Sequence, residues 1–231
     1  MNPITHCPTK RFTNIKFCLM LAIVFAWLLP SSVRAGAYED FFAALARDDA
    51  RAVARLLQRG FDPNTVDPQG RPALTIAMHE GSLRVAEVLI EHPQIDVNRL
   101  NTVGESALML AALQGRLDWC QRLIERGAYV NKPGWAPLHY AASQSDVRLV
   151  QLMLDHHAYI DAESPNKTTP LMMAARYGSE DAAQRLLDEG ADPTLRNELG
   201  LSAADFAKSV GRDRLAAQIE RQAAIYGRPG R

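Results

Sequence analysis

The chain has 231 residues, 26 Lys+Arg against 26 Asp+Glu, 47% apolar and 23% charged; this excludes a disordered or collagen-like chain. Three cysteines exclude a disulfide-stapled scaffold. A net charge of zero gives no bulk attraction to nucleic acid or to an anionic membrane.

Residues 1–35 carry Lys10, Arg11, Lys16 and Arg34 and no acid. An unbroken apolar run of 13 residues, Phe17 to Leu29, follows Lys16. Pro30-Ser31-Ser32 is expected to end any helix there. Val33-Arg34-Ala35 then has the residue sizes that a signal peptidase reads, and Ala35-Gly36-Ala37 offers a second such site. This order is that of a secretory signal peptide over residues 1–35, cleaved after Ala35 or after Ala37. The apolar run would span about 20 Å as a helix, short of the roughly 30 Å hydrocarbon core. An uncleaved anchor tethering the protein to a membrane is the other reading. Removing residues 1–35 leaves 22 basic and 26 acidic residues, a net charge of −4, and a single cysteine, Cys120. Cys120 sits in an apolar helical stretch and is expected to be a small buried hydrophobe.

Residues 38–67 predict two short helices, Phe41–Arg47 and Ala50–Gln58, closed by Gly60-Phe-Asp-Pro-Asn64. Arg47, Asp48, Asp49, Arg51 and Arg55 give this unit a polar outer face suited to a cap. Four aligned segments follow: Gly70–Gly81, Gly104–Gly115, Gly134–Ser145 and Lys167–Gly178, with a weaker fifth, Gly200–Gly211. Their equivalent positions Leu74, Leu108, Leu138, Leu171 and Ala204 are 34, 30, 33 and 33 residues apart. Ser106, Thr169 and Ser202 stand where a hydroxyl can cap a helix start, and Pro137 and Pro170 suit a first helical turn. Ala111-Ala112, Ala141-Ala142 and Ala174-Ala175 allow close helix approach. Gly81, Gly115, Gly178 and Gly211 are expected to supply positive φ between the two helices of a unit. Behind each segment runs a second apolar pattern at helical spacing, such as Val85–Ile90 and Leu149–Leu154.

These segments resemble the ankyrin repeat, with its T-P-L-H-x-A helix start and G-A-D-x-N exit. Pro137-Leu-His-Tyr-Ala-Ala142 and Thr169-Pro-Leu-Met-Met-Ala-Ala175 carry the likeness best. The resemblance implies an all-α repeat solenoid of helix-turn-helix units joined by β-hairpin-like turns, with polar capping units, over residues 36–226. Its units would be an N-cap at 38–67, repeats near 68–98, 99–131, 132–161 and 162–194, and a C-cap at 195–226, leaving 227–231 as a flexible tail. It also implies that His139 holds the neighbouring turn by hydrogen bonds. Such units bury their apolar faces only by stacking.

One turn is short: Asn131 to Leu138 is seven residues, where three equivalent intervals are ten. This brings Trp135 near a turn tip, either folded back as a plug or exposed as an anchor. His92-Pro93 adds one residue to an exit and reads as loop variation. Trp119, Cys120 and Tyr140 read as core. No metal, phosphate-loop or nucleophile motif appears, so no catalysis, cofactor or metal is expected. The resemblance places partner contacts on the concave face of the stack, made of turn tips and the exposed ends of first helices: Arg71, His79, Glu80, Glu105, Leu113, Gln114, Trp135, Gln144 beside Ser143, Thr168, Arg176 and Tyr177. Mixed charge with aromatics suits a protein partner rather than nucleic acid. The expectation is an exported, periplasmic or secreted, monomeric binding protein that meets a membrane only through its leader. The alternatives are a ligand-binding site using Cys120 or the histidines, or a scaffold stabilising an exported enzyme.

Overall fold

The computed structural model describes residues 31–226; residues 1–30, on which most of the expected leader falls, and the expected tail at 227–231 lie outside the described residues. The chain divides into two compact units, Met1–Asp40 and Phe41–Arg231. Of the first, only the start of α1 (Ser31–Ala46) is described. Ser31 and Ser32, expected to break a helix, instead stand in its first turn, and Val33–Ala37, where cleavage was expected, is helical. Arg34, Ala35 and Ala37 are strong helix formers, and this extends the helix ten residues before the expected Phe41. No helix among the described residues is long and apolar enough to cross a membrane.

The second unit is a helical repeat solenoid of consecutive helix pairs. After the end of α1 come α2 (Ala50–Gln58), α3 (Ala73–Glu80), α4 (Leu83–Ile90), α5 (Ala107–Leu113), α6 (Leu117–Glu125), α7 (Pro137–Ala142), α8 (Val147–Asp155), α9 (Pro170–Arg176), α10 (Glu180–Asp188), α11 (Ala203–Lys208) and α12 (Asp213–Ile225). The first helices α3, α5, α7, α9 and α11 pack in one row; α2 packs on α4, α6 on α8 and α8 on α10. The core runs through the whole stack: Leu74, Met78, Leu89, Leu108, Leu123, Leu138, Leu149, Met153, Leu171, Leu186 and Ile219 are buried. Each such side chain contributes about 1.5–3 kcal/mol of apolar burial. The paired alanines at 111–112, 141–142 and 174–175 are inaccessible to solvent, and their small size permits the close spacing of six- and seven-residue helices too short to stand alone.

The helix starts are closed as their sequence suggests. Ser106, Thr169 and Ser202 accept from the backbone N–H groups of Met109, Met172 and Asp205. The third residue of each helix answers in reverse: Met109 Sδ, His139 Nδ1, Met172 Sδ and Asp205 Oδ2 accept from the N–H groups of Ser106, Ala136, Thr169 and Ser202. At α3 the pair is exchanged as a unit, since Pro72 has no N–H to satisfy and Thr75 stands where the acceptor would be. The N-terminal unit caps its neighbour as well: Asp48, at φ +52°, accepts from Val85 N–H at 2.8 Å and from Arg84 Nε at 3.0 Å.

The turns between units are hairpin-like, with antiparallel bridges between Val66 and Pro72 and between Arg196 and Ser202. Asp67, Asn101 and Asn197 each fold a side-chain oxygen over the turn, accepting from the N–H groups two and four residues on; these are Asx turns. The short third turn lacks this device, and Lys132 Nζ donates to the carbonyls of Pro133 and Trp135 in its place, both at 3.0 Å.

The exits are joined by a ladder that sequence spacing marked only as a register. Asn64, Asn98 and Asn131 each donate to a carbonyl of the next unit (Gln94, Gly127, His157) and accept from the N–H two residues later (Asp96, Tyr129, Tyr159). Asp161 occupies the next rung and accepts from Asp192 N–H at 3.0 Å, but a carboxylate cannot donate to the Gly190 carbonyl. Burial pushes the Asp161 carboxyl above its ordinary range, and the Asp192 carboxylate adds to this. Because the folded form holds this proton more tightly, stability falls as pH rises from about 3.8 through the raised folded value. Asp161→Asn is expected to complete the rung and raise the unfolding free energy at pH 7 by about 1 kcal/mol. Urea denaturation at pH 7 checks this; no gain would mean the missing donor costs nothing.

Candidate functional site

One edge of the stack carries the ends of the first helices and the turn tips. The first helices end after two turns because Gly81, Gly115 and Gly211 adopt φ of +79°, +69° and +75°, so the residues just before them leave the core. His79, Glu80, Leu113, Gln114, Arg176 and Tyr177 are exposed there as expected, with Tyr177 at 57% and Leu113 at 38%. The Arg176 guanidinium lies 5.3 Å from the Tyr177 ring centroid and 6.0 Å from that of Phe206 on α11. This forms a cationic-aromatic cluster on the last two first helices. Gln144 and Ser143 are half-buried.

At the other end, Arg71 pairs with Asp67 at 2.7 Å and stands 3.8 Å from Glu80. Its neighbour across the groove, Glu105, accepts from the Tyr140 hydroxyl at 3.0 Å and from Asn101 Nδ2 at 2.9 Å. Tyr140, expected in the core, is half-buried for that reason. Between the first two full units lies a cavity of about 230 Å³ lined by Arg71, Thr75, Ile76, His79, Val103, Glu105 and Leu110, among others.

Two expected contacts are displaced. Thr168 is 3% exposed: its N–H is held by Ser164 Oγ at 2.9 Å and its carbonyl by His139 Nε2 at 3.0 Å. Thr168 follows Lys167, which stands in the turn-glycine place at φ +59°; the residue after that place closes the hairpin, so its backbone is tied inward, and the tip is the residue before it. Val103 and Leu199 occupy this tip position and are 76% and 80% exposed, and they are the exposed tip residues that sequence reading missed. Trp135 folds back rather than standing out as an anchor: it is half-buried, edge-on to His139 at 5.2 Å and to Tyr140 at 6.5 Å.

His139 plays the structural role expected of it. It is fully buried, accepts from Ala136 N–H at 3.1 Å, and therefore donates through Nε2 to the Thr168 carbonyl. Burial lowers its pKa below 6.5. Cys120 is fully buried and burial pushes its thiol up to about 12, so it is no reactive thiolate at neutral pH. Trp119 is 8% exposed beneath the Arg122 guanidinium, 4.6 Å from its centroid. On the opposite side of the stack, Arg122 pairs with Glu87 and holds its carboxyl below the usual range. Among the described residues no cluster of His, Cys, Asp or Glu could hold a metal ion.

Comparison with known proteins gives the same architecture. The family profile for ankyrin repeats (three copies) matches residues 41–133 and 128–197. The chain is 28% identical over 181 residues to the human transient receptor potential cation channel subfamily A member 1, covering 74% of this chain. It is 32% identical over 161 residues to the chicken nuclear factor NF-kappa-B p105 subunit, covering 67% of this chain. It spans only 16% of the length of each. Among solved structures it resembles a chain from a complex of a predatory endopeptidase of Bdellovibrio bacteriovorus with an immunity protein. The TM-score is 0.68 at 26% identity, over 79% of this chain and 97% of that one.

Proposed function

This chain belongs to the ankyrin-repeat family, and from that premise we propose that it is an exported, non-catalytic protein that binds one protein partner through the row of first-helix ends and turn tips. Ankyrin repeats act as protein-interaction modules and generally as non-catalytic scaffolds. The observation that carries the reading is the row itself: Val103, Leu113, Arg176, Tyr177 and Leu199 are exposed along its turn tips and first-helix ends. Aromatic and arginine anchors set among polar residues suit a protein surface. The basic leader with its apolar run and small-x-small site supports export to the periplasm.

A more specific partner, an exported endopeptidase or other hydrolase that this chain restrains or stabilises, is favoured by the endopeptidase–immunity complex among its structural neighbours. The test is affinity capture from the periplasmic fraction with the intact mass of the bait read in parallel. The expected result is a mass beginning after residue 35 or 37 and one dominant partner. That partner's affinity should fall about tenfold or more in Tyr177→Ala or Arg176→Ala, with unchanged circular dichroism. A mass beginning at Met1 contradicts cleavage, and equal capture by both variants contradicts the face.

A further inference from the structure

The cavity between the first two full units has an origin internal to the repeat. At the third position of the first helix, Met109, His139, Met172 and Asp205 fill the space beneath the turn. His139 reaches across it to the Thr168 carbonyl of the next turn. At that place the first repeat has Thr75, one or two atoms shorter in reach, and the space an imidazole would fill stays open toward Asn101–Glu105. Thr75 is 2% exposed, lines this space, and its Oγ1 has no hydrogen-bond partner. A buried hydroxyl without a partner is costly and is a reason to look for a ligand group.

The charges around the cavity are uneven. Arg71 is already answered by Asp67 and Glu80. Glu105 accepts only from two neutral donors, the Tyr140 hydroxyl and Asn101 Nδ2, and no cation among the described residues pairs with it. His79 stands 3.1 Å from Glu80. The walls are aliphatic: Ile76 and Leu110 are buried at 6% and 3%, with exposed Val103 at the mouth. An apolar shaft ending near a carboxylate and an unpaired hydroxyl fits a four-carbon stem carrying an ammonium group. Its donors match Glu105 and Thr75, both of which line the cavity, as acceptors.

We propose that this cavity receives a lysine side chain of the protein partner. The proposal rests on the concave-face reading above and deepens it. The probe is Nα-acetyl-lysine methylamide, titrated into the full chain while the methyl signals of Ile76 and Leu110 are followed by NMR. Nα-acetyl-norleucine methylamide serves as the uncharged control.

The expected result is a saturating shift at both residues, at least about tenfold weaker for norleucine and for Glu105→Gln, as loss of a charged hydrogen bond requires. Thr75→Met places in the cavity the residue that positions 109 and 172 already carry. It should abolish saturation while the Tm stays level or rises, an outcome that misfolding cannot mimic. Absence of saturation in the wild type, equal binding of norleucine, or binding that survives Thr75→Met overturns the proposal. If lysine fails while Tyr177→Ala still weakens partner capture, this inference falls alone. If lysine binds while the face variants capture normally, the concave-face reading falls instead.

Discussion

Gly178→Ala is expected to lower the unfolding free energy by about 3 kcal/mol or more, whereas Gly115→Ala should cost only about 1–2 kcal/mol. Both glycines turn the chain between two helices, but for different reasons. Gly115 sits at φ +69° in open surroundings, so a methyl group meets only the ordinary left-handed penalty. Gly178 does not have positive φ. A methyl group there would lie 2.1 Å from the Ala142 carbonyl oxygen of the preceding repeat and 3.0 Å from Ala174 Cα. Backbone on both sides leaves no side chain to rotate away. The Gly178 carbonyl also accepts from Arg212 Nη1 at 2.6 Å, so displacing it disturbs the contact with the following unit as well. Urea unfolding of the two variants in parallel reads the difference. Equal losses would mean that the α7–α9 spacing yields easily.

The second large effect is at His139. His139→Leu keeps much of the volume but leaves Ala136 N–H unpaired in a buried place and removes one of the two bonds to the Thr168 carbonyl, which then accepts only from Ser164 N–H. A loss of about 3 kcal/mol is expected. His139→Met should recover part of it, because Met109 and Met172 accept from the equivalent N–H group through sulfur; the bond to Thr168 stays lost. The wild type should also depend on pH here. The folded state keeps the imidazole neutral and its pKa lies below 6.5, so the unfolded state binds the proton first. Stability from this residue is full above about 6.5 and is lost as pH falls through the lower folded value. His139→Met should flatten that part of the stability–pH curve. An unchanged slope would assign the acid sensitivity to other groups.

Much of the stack is legible in the sequence because its determinants are local and repeated. The caps Ser106, Thr169 and Ser202, the first-turn prolines and the alanine pairs each act within one unit, and α2 begins and ends where spacing places it. The residues whose role depends on the neighbouring unit were harder to read. Gly178 looks like its sister glycines, and only the approach of Ala142 distinguishes it. Asn64, Asn98 and Asn131 mark the spacing, but their bonds run to the next unit, and the missing donor of Asp161 appears only when that ladder is built. Thr168 and Val103 differ by their place around the turn glycine, which decides which side chain faces outward. Trp135 offered two directions, and the ring chose the one with His139 and Tyr140 to pack against. The Pro72–Thr75 exchange passed unremarked within the aligned segment Gly70–Gly81, and its consequence, an open cavity, required the helix of the next repeat.

Site-specific photocrosslinking in the intact cell tests the central claim most directly, because it reads the face and its partner together. A benzophenone side chain is placed at exposed Tyr177 on the first-helix row, and a second at exposed Glu125 at the end of a second helix. The predicted result is one discrete adduct from position 177, of constant mass across preparations, and none from position 125. An adduct formed only from position 125, or none from position 177 under conditions where the partner is captured, would contradict binding through the concave row.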